Sequence, residues 1–553
     1  MKAPLTLALA LSLALPLASA RPAPAAAPQQ ESGGMFTNAK MGFKLKPPKG
    51  WEMVALKTDE SWLSCKYRSD KSYAFHDKDT GFTTRHTPEL KVIAFVKENM
   101  EDEAEVTRDE DEDGNKRVTI VRKNPYKDYD DYLERTVSGG FFKDDEERTK
   151  IDGRQVDIYT YRLEKLSSAP RFIRTWIYRT DEIDYAVQME VLQTEDKGLK
   201  RTLERTFKSF EVTERSGEDL TDQSGSWITR LQMNEGTPKE RRQKRMESEE
   251  LLRNRAKSSV PDSWTVKEYG DFLILSDTDK RYTKKIADHV QAIMKWMDDT
   301  FPYVGKGEYV RSPIVRILAD DEQWGAFTQG SGDRAKDGFL GSGLEVYTAK
   351  TSDGYIGYSI DNLNTSLYRR WWGEKDRDMY DAMPPWLRLG LEWVIESGRA
   401  DGRKVKFRVS TDVVEARTYI AQGKGVSPLE ILRMRSSDFS GRSAGVKLLQ
   451  AFSFARYVSS PEARKDKLAK KFLENYLTTL KQVVNEIEEK DKERYKDLDR
   501  PETEEEEDAW ARARADRRKQ QEQEIIDMVI ERAFGQWTER DWSNLEKSWH
   551  NWL

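Results

Sequence analysis

The chain is short of the residues that most often hold metals and disulfides. Its 553 residues include one cysteine, Cys65, and four histidines, His76, His86, His289 and His550. A single cysteine excludes an internal disulfide framework and any thiolate metal cluster. No two histidines lie four residues apart, so no helix can present the paired imidazoles of a His-Glu-x-x-His zinc peptidase. Apolar runs are also absent beyond the N-terminus, and no later segment is long enough to cross a bilayer. Excess charge of one sign is missing too. The 93 basic and 98 acidic residues nearly cancel to a net −5, which leaves no global field for nucleic acid.

What is present points to folded cores joined by charged surface. Hydrophobic residues make up 37% and charged residues 35%, with 16 Trp, 22 Tyr and 20 Phe. That aromatic load argues against wholesale disorder, and the length calls for two or more domains. Met1 to Ala20 reads as a secretory signal: Lys2, an apolar run from Leu5 to Leu17, and the small residues Ala18-Ser19-Ala20. No cysteine stands directly after the run, which argues against a lipid-anchored lipoprotein. The expectation is an exported, soluble protein of the cell envelope or exterior. Residues 21–34, rich in Pro, Ala and Gln, read as a disordered leader. Cys65 sits in the alternating run Trp62 to Tyr67 and reads as a small buried filler.

Residues 35–213 read as an α+β unit. Strands are expected at Glu89–Val96, Val156–Leu163, Phe172–Tyr178 and Tyr185–Leu192, each with β-branched or aromatic alternation. A helix over Lys197–Phe207 and a last strand at Ser209–Val212 follow. Strand runs followed by a helix favour an antiparallel sheet with helices on one face. Gly42-Phe43-Lys44-Leu45-Lys46-Pro47-Pro48-Lys49-Gly50-Trp51 resembles the opening of PsbP-like domains, and Arg205 to Val212 resembles their close. The resemblance implies a non-catalytic binding or assembly module.

Residues 214–258 read as a charged linker. In Lys239 to Glu250, opposite charges at i,i+4 support a solvated helix. Residues 259–553 form a second unit, expected to be mostly helical with a small sheet. Phe272–Ser276 and Ile314–Leu318 read as strands, and Ile286, Val290, Ile293 and Met297 mark Asp279–Phe301 as an amphipathic helix. A helix near Glu322 and a pair of strands, Leu344–Thr348 and Tyr355–Ile360, come next. Two helices then carry Asn364 to Trp372 and Pro384 to Leu391. About residues 485–525 the sequence is dominated by charge, including Glu504 to Asp508, and reads as an exposed helical excursion.

In the order of these elements, and in its closing Phe534-Gly535, Leu545-Glu546, Trp549 and Leu553, this unit is similar to MA-like, gluzincin-type metallopeptidase domains. The resemblance implies a zincin-like fold with the zinc motif on the first helix and a ligand glutamate on the second. The matching positions here are Thr365, Ser366, Arg369 and Leu389. Arg369 and Leu389 are twenty positions apart, close to the spacing such domains need. The replacements oppose zinc, because leucine cannot coordinate and arginine puts a permanent cation where a dication should sit. Tyr368, Arg370, Trp371, Trp372, Trp386, Glu392 and Glu396 are candidates to line the former pocket. The two glutamates read as partners for Arg369, Arg370, Arg388 or Arg399, and Trp371 and Trp372 as packing.

Two further patterns compete with bland readings. Asp109, Asp111 and Asp113 before Gly114 match half of a calcium loop, but Ile120 stands where the bidentate glutamate belongs, and a hairpin tip fits equally. Gly441-Arg442-Ser443-Ala444-Gly445 matches a serine-hydrolase elbow, yet it lacks a preceding strand, and Ser443 reads better as a helix cap. The reading reached is an exported, non-catalytic scaffold that binds protein or peptide and needs no cofactor. The alternatives are a hydrolase or peptidase with an unconventional site, using Ser443 or an atypical metal, and a purely structural envelope component.

Overall fold

The computed structural model describes residues 30–31, 34–57, 60, 62–78, 80–97, 105–110, 116–121, 126, 128–137, 140–163, 169–217, 236–307, 309–329, 344–350, 357–408, 411–439, 444–495 and 521–553. Its fold is α+β, as expected. An N-terminal antiparallel sheet is followed by a mostly helical region built on a smaller sheet.

The first sheet has seven strands in the order Phe141–Ile151, Arg154–Leu163, Arg171–Tyr178, Ile183–Leu192, Glu89–Val96, Leu63–Ser69 and Trp51–Met53. All four strands expected from alternation are present. Period-two geometry sends neighbouring residues to opposite faces. Val92, Ala94, Tyr185, Val187 and Met189 therefore pack with Leu203 and Phe207 of the helix Asp196–Lys208. Ile93, Phe95, Ile177 and Ala186 pack on the other face with Tyr129, Tyr132 and Leu133 of the helix Tyr129–Thr136. That second helix was not foreseen, and it is why Glu89–Val96 is apolar along almost its whole length. Cys65 is fully buried, and burial pushes its thiol far above its ordinary value.

Two expectations need correction here. Gln30–Glu31 pairs antiparallel with Met35–Asn38, so the leader ends before residue 34. Backbone pairing with an existing small sheet outweighs the polar composition of that segment. The final strand is only Glu211–Val212, because Ser209 closes the preceding helix instead.

The second sheet runs Thr265–Tyr269, Phe272–Ser276, Ile314–Leu318 and Glu345–Ala349. Its first pair is antiparallel and the other two are parallel. Parallel neighbours need a crossover, which the helix Lys280–Thr300 supplies. Asp279 caps that helix by accepting from the Tyr282 amide, and Ile286, Val290, Ile293 and Met297 bury its inner face. A second strand at Tyr355–Ile360 does not form. The helix Gly357–Asp381 already includes residues 357–360, while Tyr355 and Ile356 lie outside the described residues. The local alternation there loses to a longer helical period: Ile360, Leu363, Leu367 and Trp371 recur every three or four residues and are all buried.

The charged segment forms the helix Pro238–Ser258, begun by a capping box between Thr237 and Glu240. It is not simply solvated. Leu252 and Ala256, one turn apart, pack on the sheet residues Leu273, Leu275, Ile314 and Leu318, together with Ala55 from the N-terminal region. Of the expected excursion, residues 496–520 lie outside the described residues. Its flanks are the helix Phe472–Tyr495 and a helix over 521–534, joined by an Arg532–Glu486 pair at 2.7 Å.

Gly390 sets the closest helix approach in this region. A Cβ there would lie 2.7 Å from Ala455 Cβ and 3.0 Å from the Ala451 carbonyl of the helix Ala444–Val458. Replacing a mid-helix glycine by alanine ordinarily helps by up to about 1 kcal/mol. Here Gly390→Val should instead lower stability by about 1–3 kcal/mol through overpacking, read as a drop in the thermal melting midpoint.

Candidate functional site

The helices Gly357–Asp381 and Pro385–Glu396 carry every position assigned to the degenerate motif. Within the first helix the buried stripe Leu363, Asn364, Leu367, Tyr368, Trp371 and Trp372 follows helical spacing and faces the core. Asp376 breaks it with φ −163° and ψ 89°. The Asp376 carboxylate then accepts from the Met379 amide at 3.1 Å and pairs with Lys481 at 3.0 Å. Pro384 and Pro385 start the second helix, where a missing N–H costs nothing.

The two helices are joined by charge. Arg369 on the first pairs with Glu392 on the second. Glu392 is 9% exposed while the Arg369 side chain is 30% exposed, so the contact is half-buried. Thr365, Ser366 and Leu389 are half-buried on the same helices. Glu396 contributes its backbone carbonyl, which accepts from the Arg399 guanidinium at 2.9 Å, while Arg399 pairs with Asp361. Burial raises Asp361 even against that neighbouring cation.

Aromatic packing fills the remainder. Trp371 and Trp372 meet edge to face at 5.1 Å, and Phe301 lies 5.3 Å from Trp372. Tyr368 stands edge-on to Trp372 at 6.3 Å, and the Trp371 indole N–H donates to Asp298 at 2.9 Å. Trp386 packs against Phe454 and Tyr476. Arg370 differs from these. Its guanidinium nitrogens are buried without a hydrogen bond, and burial lowers it to about 10 beside Glu374 and Arg311.

The most connected polar pair at the crossing went unnoticed in the sequence. His289, 3% exposed, lies on the helix Lys280–Thr300, and its Nε2 is 2.7 Å from Asn364 Oδ1. The Ala400 amide donates to His289 Nδ1 at 3.2 Å. Nδ1 must therefore be the acceptor, so Nε2 carries the proton and donates to Asn364. The Asn364 amide in turn donates to the carbonyls of Ile395 at 2.9 Å and Gly398 at 3.0 Å. A signal did exist: His289 occupies the inner stripe with Ile286, Val290 and Ile293, where an imidazole needs a partner.

The other candidates are not gathered here. Asp109 lies in the strand Glu105–Glu110, which pairs with Lys116–Val121 as a hairpin, while Asp111, Asp113 and Gly114 fall outside the described residues. Ser443 is also outside them. The residues before it form the 3₁₀ turn Ser436–Phe439, and the helix after it begins at Ala444. Among the described residues, no group of three or more His, Cys, Asp or Glu is placed to hold a metal ion. No helix among them is long and apolar enough to cross a membrane.

No family model and no curated protein matches the chain. Several solved structures do. The cyanobacterial PsbP (CyanoP) of Synechocystis sp. PCC 6803 is 16% identical with a TM-score of 0.21, covering 36% of this chain and 99% of its own. LpqN of Mycobacterium tuberculosis, described as involved in cell envelope biogenesis, is 12% identical with a TM-score of 0.19, covering 31% of this chain and 83% of its own. A protein of Bacteroides thetaiotaomicron VPI-5482 is 11% identical with a TM-score of 0.18, covering 43% and 82%.

The His289 site should give stability a pH signature. Burial holds its imidazole down to about 4 from an ordinary 6.5. Between those values the unfolded chain binds the proton and the folded chain does not. Stability is therefore full above pH 6.5 and falls as pH drops towards 4, by about 3 kcal/mol if this group acts alone. Denaturant midpoints should show that slope. His289→Gln should lower stability at pH 7 and remove the slope over this window.

Proposed function

We propose that the chain is an exported, non-catalytic scaffold that binds protein or peptide, built on a metallopeptidase-like helical region whose zinc site has been replaced. The observation that carries this reading is the Arg369–Glu392 pair. It joins the two helices at the positions where the motif would converge, and it sets a guanidinium in place of a dication. In a zinc peptidase the metal-bound water is the nucleophile, and a permanent cation at this position disfavours the dication that would hold it. The neighbouring Trp371, Trp372 and Trp386 are packed against other rings, so they fill the crossing rather than line an open cleft.

Binding of extended chains fits the architecture, because sheet edges can accept an added strand. The apolar run from Leu5 to Leu17 supports export. The N-terminal antiparallel sheet, read as PsbP-like from its opening and closing sequences, would serve as the assembly module.

Purified mature protein tests this directly. Zinc measured by mass spectrometry should be far below one per chain, and a fluorogenic peptide library should be bound without being cut. Stoichiometric zinc accompanied by peptidase activity that chelation abolishes would overturn the reading. Labelling of Ser443 by a fluorophosphonate would establish the hydrolase alternative instead.

A further inference from the structure

Among the described residues, the edge strand Phe141–Ile151 has a partner on one side only. It runs 11 residues, and Phe142 to Arg148 are exposed without interruption. The opposite edge of the sheet, Trp51–Met53, is only 3 residues long. A long open edge is a template for another strand, and proteins usually blunt it with charge or proline. The charges here are of both signs and follow an order: Lys143, Asp144, Asp145, Glu146, Glu147, Arg148 and Lys150.

The turn that ends the strand fixes which backbone groups remain open. Asp152 and Gly153 have φ of 49° and 78°, which makes a two-residue type I′ turn. Its closing bond runs from the Arg154 N–H to the Ile151 carbonyl. Ile151, Thr149, Glu147 and Asp145 therefore turn their backbone groups towards Arg154–Leu163. Lys150, Arg148 and Glu146 turn theirs outward.

A second antiparallel copy of this strand must oppose outward residues to outward residues. Placing Glu146 opposite Arg148 of the other copy repeats itself by symmetry, and it brings Asp144, at the strand's bulge, beside Lys150. One permitted step of sliding in either direction sets Arg148 against Arg148 or Glu146 against Glu146. We propose that the protein forms a two-fold dimer in which the Phe141–Ile151 strands of two copies pair antiparallel and join their sheets. The pairing is isologous and self-complementary, as a two-fold interface requires. Its one unfavourable contact is Glu147 facing its own copy across the axis.

The test is sedimentation of the full mature chain over a range of protein and salt concentrations. Dimerisation at low salt that weakens as salt rises is expected. Glu146→Arg and Arg148→Glu should each weaken association about tenfold or more. The double reversal restores complementarity and should restore the dimer, while Glu147→Gln should tighten it. The Arg148 and Glu146 side chains are 69% and 41% exposed, so melting curves should confirm that every variant folds. A chain that stays monomeric at high concentration in low salt would overturn the proposal. So would a dimer indifferent to the single reversals, or a folded double variant that remains monomeric. None of these outcomes depends on whether the protein binds peptides.

Discussion

The helical region depends on one buried side chain finding all its partners. Asn364 is fully buried, and its amide joins three separate elements. Its oxygen accepts from His289 on one helix, and its nitrogen donates to the carbonyls of Ile395 at the end of another and of Gly398 at the start of the hairpin Gly398–Asp401 and Lys404–Phe407. Helix ends leave carbonyls without intrahelical partners. Burying such an end is costly unless donors reach it, and Asn364 is one of them, beside the Ser397 amide and the Arg399 guanidinium. His289 completes the circuit by accepting from Ala400. Each atom in the set has a single consistent role, which favours one arrangement over close alternatives.

On the same two helices, Arg369 stands across from Glu392. A half-buried charge pair stabilises little by itself, because desolvation and solvent screening offset much of the attraction. Losing one partner is a different matter, since the other charge is then stranded. Such a pair therefore helps hold the register of the two helices. On these helices Trp371 and Trp372 pack on each other, and Trp386 packs on Phe454 and Tyr476.

Much of this was legible in the sequence. The strands Glu89–Val96, Phe272–Ser276 and Ile314–Leu318 have the bounds that their apolar patterns gave, and the helix expected over Asp279–Phe301 runs Lys280–Thr300. The failures have physical reasons. Tyr355–Ile360 carries a strand-like alternation over six residues, but the helical stripe continuing to Trp372 buries more surface and prevails. Pro238–Ser258 has a solvent-like composition, yet Leu252 and Ala256 suffice to seat it against a sheet. The candidate site was legible as positions and not as contacts. Arg369 with Glu392 could be guessed from spacing, whereas the partnership of His289 with Asn364 spans 75 residues and has no local signature.

The same long-range logic joins the two sheets. Arg316 is fully buried on a central strand, and its guanidinium donates to Glu345 at 2.7 Å and to Ser259 at 2.6 Å. Ser259 follows the charged helix, and its carbonyl accepts from the Leu56 amide of the N-terminal region at 2.8 Å. Phe327 lies between Arg316 and Lys57, with a cation over its ring from each. Nearby, Arg311 donates to Glu374 at 2.6 Å and to Ser248 at 3.0 Å. Burial alone would raise the Glu374 carboxyl, but Arg311 and Arg370 hold it below its ordinary value. The Ser248 and Ser259 hydroxyls accept from these two buried guanidinium groups, which ties the helix Pro238–Ser258 and the residue after it to the sheet. The segment that composition marks as a linker is therefore packed and bonded on several sides, through Leu252, Ala256, Ser248 and Ser259.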